Sequence, residues 1–522
     1  MEIGIFHSFS TFFSSLGGIV IDPSSMLLLF GSVLMGIIFG ATPGLTATLG
    51  VALLTTLTYG MEMETAMVAL MGIYVGGVYG GSYTAILVNI PGTAASAATA
   101  MDGYPLAKKG LAGKALGLTT TSSAIGTIIG MFFVVVFTPI ISALALEFTS
   151  FEKFLLALFG IIISGTLTSQ DLVIKGWIAG FIGLWMASIG RDALQNYPRF
   201  DFGIPELQGR LDVVPVLIGA FGIPQIMQTL RDDMKYGDMA EVKRILPEFK
   251  VIRKNFVNIV RSALIGVGIG AVPGIGEDIA GWVSYGTAKR TSPRGDEFGT
   301  GVEEAVVATE TANNACIGGA MIPLLSLGIP GSPPAAMLLG ALMLHGISPG
   351  PMLRVDRPGF VFQVSAILLL ASIAMWIIGM LLSKQVIKIL KIPITLFMPV
   401  IGVLCVIGSY ALGLNIFNLY LMVPVGIMSY FLVENKYPIA PLVIGVILGN
   451  MFDENLRRAL MVSKGSFAPI FTPDRWVAFI LFLVIVYMIL GQIGPVKRAQ
   501  RRFSAWLRSV LKKSSQETSD QT

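Results

Sequence analysis

Long apolar runs without a single charge alternate with short segments where charge collects. Residues 361–382 and 476–496 are uncharged, as are 116–146 and 392–433, the last long enough for two helices. A bilayer-crossing helix needs about 20 apolar residues, so the pattern predicts about a dozen transmembrane passes. Lipid offers no partner to a free N–H or C=O, so these passes are helices and the fold class is an all-α polytopic membrane protein. Segments 154–167, 174–189 and 213–228, and those after Phe360, read as ordinary spans with few polar groups, suited to scaffold, subunit contact and lipid. Two uncharged runs are different. Residues 65–101 and 311–353, 37 and 43 residues long, exceed one ordinary span, and each is interrupted by Ile-Pro-Gly. They predict broken or re-entrant helices, tolerated at depth only where protein or a water-filled cavity covers the free backbone.

The interruptions come in pairs. Gly266, Gly270, Ala271, Pro273 and Gly274 repeat the order of Gly36, Gly40, Ala41, Pro43 and Gly44, and over 32–45 and 262–275 seven of fourteen positions are identical. Each copy is followed by a second matched signal, Asn89-Ile90-Pro91-Gly92-Thr93 in the first half and Gly328-Ile329-Pro330-Gly331-Ser332 in the second. A duplicated pair of Gly/Pro breaks inside apolar segments is the sequence pointer to a secondary transporter built from repeats, with its site at the breaks. GxxxG could instead merely pack helices and Pro-Gly merely kink them, which explains each break but not their paired order.

Charge orients the copies. The chain has no Lys or Arg before Lys108; basic residues then gather at Lys108, Lys109 and Lys114, at 231–254, at Lys289, Arg290 and Arg294, and in the tail from Lys497 onward. The positive-inside rule makes these segments cytoplasmic and the loop around 21–25 external. The first copy is flanked by segments without basic residues and the second by basic ones, which predicts two inverted repeats; Arg354 and Arg357, external in this scheme, run against it. The chain divides into an N-terminal segment (1–24), a first repeat core (25–146), connecting helices with a basic cytoplasmic loop (147–254), a second repeat core (255–390), C-terminal transmembrane helices (391–496) and a basic cytoplasmic tail (497–522). In the tail, Phe503, Trp506, Leu507, Val510 and Leu511 among the basic residues suit the inner membrane surface.

Composition agrees, with 54% hydrophobic and 13% charged residues where a soluble chain carries roughly a quarter charged. A net charge of +5, confined to loops and tail, argues nothing for nucleic acid. Cys316 and Cys405 stand in apolar context, without a disulfide framework or Cys-based metal site. No Walker GxxxxGK[ST] and no nucleophile–base constellation is present, so the chain reads as no enzyme and carries no cofactor.

A helix that begins just after Pro-Gly offers unpaired N–H groups and the positive end of its dipole to an anion. Pro43, Gly44, Thr46 and Thr48, with Asn89, Pro91, Gly92 and Thr93, supply such starts in the first half; Pro273, Gly274, Gly276, Pro330, Gly331 and Ser332 are their counterparts. Four such ends meeting at the midplane would hold a small molecule with several carboxylates. The amide oxygens of Asn89, Asn313 and Asn314, with Asp278, are candidate ligands of a coupling cation, Na⁺ or H⁺; interhelical hydrogen bonding is the plainer role for the amides. Glu277 and Asp278 suit helix capping as well as a cation or proton, and Glu310, ahead of the Asn pair, is a further intramembrane carboxylate. Asp102, Glu303 and Glu304 read as loop-boundary residues, and His345 and His7 are isolated.

From about residue 31 to 496 the chain resembles TctA, the large membrane subunit of bacterial tripartite tricarboxylate transporters. The resemblance rests on the segment Gly72-Ile73-Tyr74-Val75-Gly76-Gly77-Val78-Tyr79-Gly80-Gly81-Ser82, on Asn89 to Thr93, on Met101-Asp102-Gly103-Tyr104-Pro105, on Ala312-Asn313-Asn314-Ala315 and on Leu327 to Gly331. Thr309 stands where relatives often have proline, and the pair Glu277-Asp278 is not the commonest there. The resemblance implies an inner-membrane symporter driven by a cation gradient, with a small TctB-like membrane subunit and a periplasmic TctC-like solute-binding protein that delivers an organic anion, citrate being the type case. A stand-alone uniporter or channel, and a membrane enzyme acting on lipid-linked substrates, are the alternatives.

Overall fold

The computed structural model describes residues 5–492 apart from 170, 233–239, 241, 243, 391, 393–395, 412 and 413. The predicted basic tail therefore lies outside the described residues, as do Lys235 and Lys243.

Asp22 accepts the amides of Ser24 and Ser25 and so separates α1 (Ile5–Ile21) from α2 (Pro23–Ala41), with Pro23 at the first helical position where no N–H is missed. The chain breaks at 42–46 and restarts as α3 (Ala47–Leu57), capped by the Thr46 hydroxyl on the Leu49 amide at 3.2 Å. Helix α4 (Met63–Gly80) bends at Gly81 into α5 (Ser82–Val88). After the second break a 3₁₀ turn, Ala94–Ser96, leads through α6 (Ala97–Leu106) into the long α7 (Ala112–Leu146). Helices α8 (Ser150–Thr168) and α9 (Val173–Ala187), the two-residue strands β1 (Gly190–Arg191) and β2 (Pro198–Arg199), α10 (Val213–Asp232) and α11 (Phe249–Lys254) connect the halves. The second half repeats the plan: α12 (Phe256–Gly270), a break, α13 (Glu277–Thr291), α14 (Glu303–Leu327), a break, and α15 (Pro333–Leu344). Then follow α16 (Leu353–Asp356), α17 (Phe360–Leu381), α18 (Ser383–Ile389), α19 (Phe397–Ala411), α20 (Phe417–Glu434), α21 (Ile439–Val462) and α22 (Trp476–Leu490).

Among the described residues nine helices are long and apolar enough to cross a membrane, which makes this an all-α polytopic membrane protein. Helices α3, α12 and α15, with 11, 15 and 12 residues, are too short alone at 1.5 Å per residue.

The seams of the two halves use the same device. A Cβ on Gly36 or Gly40 of α2 would overlap the carbonyl oxygens of Ile73 and Gly77 on α4, and one on Gly266 or Gly270 of α12 would overlap those of Ala312 and Cys316 on α14. The close-packing role of GxxxG thus holds alongside the breaks. Helices α5 and α14 also end alike. Asn89 (φ 59°) and Gly328 (φ 72°) take the left-handed position, and Ile90 N–H and Ile329 N–H reach back to the carbonyls of Thr84 and Pro323, the Schellman closure.

Each Pro-Gly break turns its chain back. Asp22 and Ser25 at the start of α2 line one surface pocket with Glu62 and Glu64 beyond the end of α3. Arg261 near the start of α12 bonds Thr291 at the end of α13, and Asn258 bonds the Glu304 carbonyl. The second hairpin's ends lie where α6 finishes: Asp102 accepts the amides of Gly299, Gly301 and Val302, and Lys109 donates to the Thr300 carbonyl at 2.7 Å. The first hairpin's ends lie where α4 begins.

Candidate functional site

Turning back brings the breaks together in the interior. One cavity of about 80 Å³ is lined by Thr46, Ala47 and Thr48 at the start of α3, Val78 of α4, Thr93, Ala94 and Ala95 at the 3₁₀ turn, Glu277 and Asp278 at the start of α13, and Pro333 and Pro334 at the start of α15. All four predicted helix starts meet on it. Among the described residues no lysine or arginine lines it, so the positive field there comes from backbone N–H groups and helix dipoles.

The backbone donors are not the ones the motifs suggest. Gly274 N–H donates to the Pro330 carbonyl at 3.2 Å, Gly276 N–H to Gly331 at 3.1 Å and Gly92 N–H to Gly81 at 3.2 Å. These bonds tie the breaks to their neighbours and leave nothing for a ligand. The α15 start offers little either: Pro333 and Pro334 have no N–H, and Ala335 N–H is taken by Ser332 Oγ at 3.3 Å. The start of α13 already carries the carboxylates of Glu277 and Asp278, which oppose a second anion there. Donor capacity concentrates at Ala47–Thr48 and Ala94–Ala95, beside the Thr46, Thr48 and Thr93 hydroxyls. Thr93 Oγ1 is buried and has no hydrogen-bond partner among the described residues.

Of the predicted substrate residues, Thr46, Thr48 and Thr93 line the cavity. Pro43, Gly44, Pro91, Gly92, Pro273, Gly274, Gly276, Pro330, Gly331 and Ser332 form the turns that lead into it. Positive φ at Gly44 (90°), Gly274 (72°) and Gly276 (74°) is what those turns demand of glycine. Asn89 does not line the cavity; it is exposed and terminates α5. The four predicted cation residues do not gather. Asp278 faces the cavity, Asn313 touches its wall through the Ala95 carbonyl at 3.4 Å, and Asn314 bonds Asn313 Oδ1 at 2.7 Å. No group of three or more His, Cys, Asp or Glu able to hold a metal occurs among the described residues.

Tyr74, quoted above only as part of a motif, is central to this wall. Its hydroxyl donates to Glu277 at 2.5 Å and accepts from Ser332 Oγ at 2.7 Å, so one side chain of the first half joins two breaks of the second. A tyrosine inside a Gly-rich helix, which can only spend its hydroxyl on a distant partner, was the available signal. Asp102 is no loop-boundary residue. It is 1% exposed and accepts from Tyr285 and three backbone amides of the other half.

The sequence matches the model of the family described as "Tripartite tricarboxylate transporter TctA family" over residues 26–444. It is 32% identical over 483 residues, 91% of this chain and 95% of the relative, to "Uncharacterized 52.8 kDa protein in TAR-I ttuC' 3'region" of Agrobacterium vitis. It is 34% identical over 229 residues, 44% of this chain and 94% of the relative, to "Uncharacterized protein in TAR-II ttuC' 3'region" of the same organism. No solved structure matches.

Proposed function

We propose that this chain, which belongs to the tripartite tricarboxylate transporter TctA family, imports tricarboxylates or related organic anions by cation symport, as the permease of a binding-protein-dependent system. It is a multi-pass membrane transporter. Its partners in this reading are a small TctB-like membrane subunit and a periplasmic TctC-like binding protein, and its place is the bacterial inner membrane, tail inward. Two inverted repeats of broken helices, 25–146 and 255–390, form the moving core, and the helices of 147–254 and 391–496 serve as scaffold.

One observation carries the reading: starts of α3 and the α6 segment, with the Thr46, Thr48 and Thr93 hydroxyls, face Asp278 across one interior cavity. An anion bound at those helix starts meets the field of their dipoles and their free N–H groups. It also meets the Asp278 carboxylate, which repels it. A cation that neutralises this carboxylate makes anion binding favourable, and by linkage the anion favours the cation to the same degree. That mutual dependence is symport. The cavity is small, about 80 Å³, and leaves Asp278 exposed; movement of one hairpin pair against the scaffold presents it to either side in turn.

The test is uptake of labelled citrate into proteoliposomes holding the chain, its small subunit and its binding protein, under an imposed Na⁺ or pH gradient. Accumulation that follows one gradient and needs the binding protein supports the proposal. Equilibration without accumulation sinks symport in favour of a uniporter or channel. Accumulation without the binding protein sinks the tripartite arrangement.

A further inference from the structure

We propose that Glu310 is the anionic ligand of a buried Na⁺ site built from both halves of the chain, an inference that rests on the symport reading above. Glu310 is completely buried in the middle of α14. Ser82 Oγ of α5 donates to its Oε1 at 2.6 Å and Thr99 Oγ1 of α6 to the same oxygen, while Ser123 Oγ of α7 donates to Oε2 at 2.8 Å. Three helices thus aim hydroxyls at one carboxylate on a fourth.

The cluster lacks a countercharge. Among the described residues no Lys, Arg or His forms an ion pair with Glu310. Of the charged groups on the helices packed around it, Lys114 is spent on Glu303 at 2.5 Å, Arg261 on Asn258 and Thr291, Asp102 on the 299–302 amides and Glu277 on Tyr74. An uncompensated carboxylate in a membrane interior is costly, and hydroxyl donors alone leave its charge in place.

The chemistry available suits a small hard cation. Each hydroxyl keeps lone pairs and can rotate its hydrogen away, so that Glu310, Ser82, Thr99 and Ser123 present oxygen only. On the next turn of α14 the Asn314 amide oxygen is buried without a partner, the condition a cation relieves. A proton needs a single acceptor and would leave this array without purpose. The site also communicates with the cavity: Asn314 bonds both the Glu310 carbonyl and Asn313, which bonds the Ala95 carbonyl in the cavity wall. Filling it draws α5, α6 and α7 onto α14 and fixes the wall against which the anion binds.

The test pairs binding with transport. Purified wild type should show a saturable rise in melting temperature with NaCl that choline chloride at equal ionic strength does not give. Glu310→Gln, close in shape and uncharged, should fold and lose that rise. Ser123→Ala should need at least about tenfold more Na⁺, the scale at which a metal site responds to a lost supporting group. In proteoliposomes Glu310→Gln should lose Na⁺-driven accumulation yet retain exchange of labelled for unlabelled substrate. If Glu310→Gln is too unstable to purify, a Ser123→Ala response identical to wild type overturns the proposal by itself. A wild type that accumulates substrate only on a pH gradient overturns the Na⁺ site and leaves the transporter reading intact. A wild type that neither accumulates nor exchanges overturns that reading first.

Discussion

Thr93 separates the work of a residue in folding from its work in binding. Its hydroxyl is buried without a partner, so Thr93→Val should change stability by no more than about 0.5 kcal/mol. Thr93 also lines the cavity, and a hydrogen bond to a charged ligand is worth about 1.5–3 kcal/mol, so uptake should need roughly ten- to a hundredfold more substrate. Melting temperature and concentration-dependent uptake measured on one preparation check both halves; unchanged uptake would remove Thr93 from the site. Asn89 gives the opposite case. It holds the left-handed position that Gly328 holds in the other half, so Asn89→Gly should leave uptake and stability as they are, whereas Asn89→Ala should cost about 1 kcal/mol. Uptake lost in Asn89→Gly with the fold retained would restore the side chain as a ligand. Pro-Gly and Ile-Pro-Gly were legible because glycine and proline declare backbone conformation directly. That Gly274 and Gly276 spend their N–H groups on Pro330 and Gly331 was not, since those partners lie in a distant segment. Ser82, Thr99 and Ser123 are unremarkable singly and acquire meaning only when four helices bring them to Glu310.

At the scale of elements, the hairpins owe their positions to close seams and to one clamp. The clamp is Asp102, whose carboxylate collects Tyr285 and three backbone amides of the 299–302 loop. Asp102→Ala leaves those donors buried and unpaired and should cost about 3 kcal/mol or more, read as a lower melting temperature. The seams predict symmetry: Gly40→Ala and Gly270→Ala each push a methyl into a carbonyl of the facing helix and should each cost about 1–3 kcal/mol. A loss confined to one half would deny the correspondence of α2–α4 with α12–α14. A second clamp lies outside the spans. Arg457, then the Gln195 and Leu194 amides, hold Asp192 below the usual carboxylate range and tie the β1–β2 turn to α21. A depressed carboxylate stabilises fully above its unfolded value, about 3.9, and loses that contribution only as pH falls through the lower folded one. Asp192→Asn should therefore lower the melting temperature equally at pH 5 and pH 8.

For the whole molecule, the alternating access proposed above depends on the two hairpins entering from opposite sides. Periodicity and charge already pointed there, because basic residues shun the flanks of the first copy and crowd those of the second. Contacts unreadable in the sequence give that scheme fixed points to test: Asp22 shares a pocket with Glu62 and Glu64 at the ends of the first hairpin, while Lys109 and Asp102 hold the 299–302 loop beside the second. Two residues still run against the scheme: Arg354, which donates to the Pro139 carbonyl near the end of α7, and the exposed Arg357. The native cysteines, Cys316 and Cys405, are buried and free, which gives a silent background for labelling. Glu62 and Asp296 are both exposed. In intact cells a membrane-impermeant thiol reagent should modify the Glu62→Cys protein and spare Asp296→Cys until the membrane is opened. If both react from one side, the hairpins enter together, the halves are not inverted, and opening the cavity alternately to each face would need a motion other than the exchange of two equivalent halves.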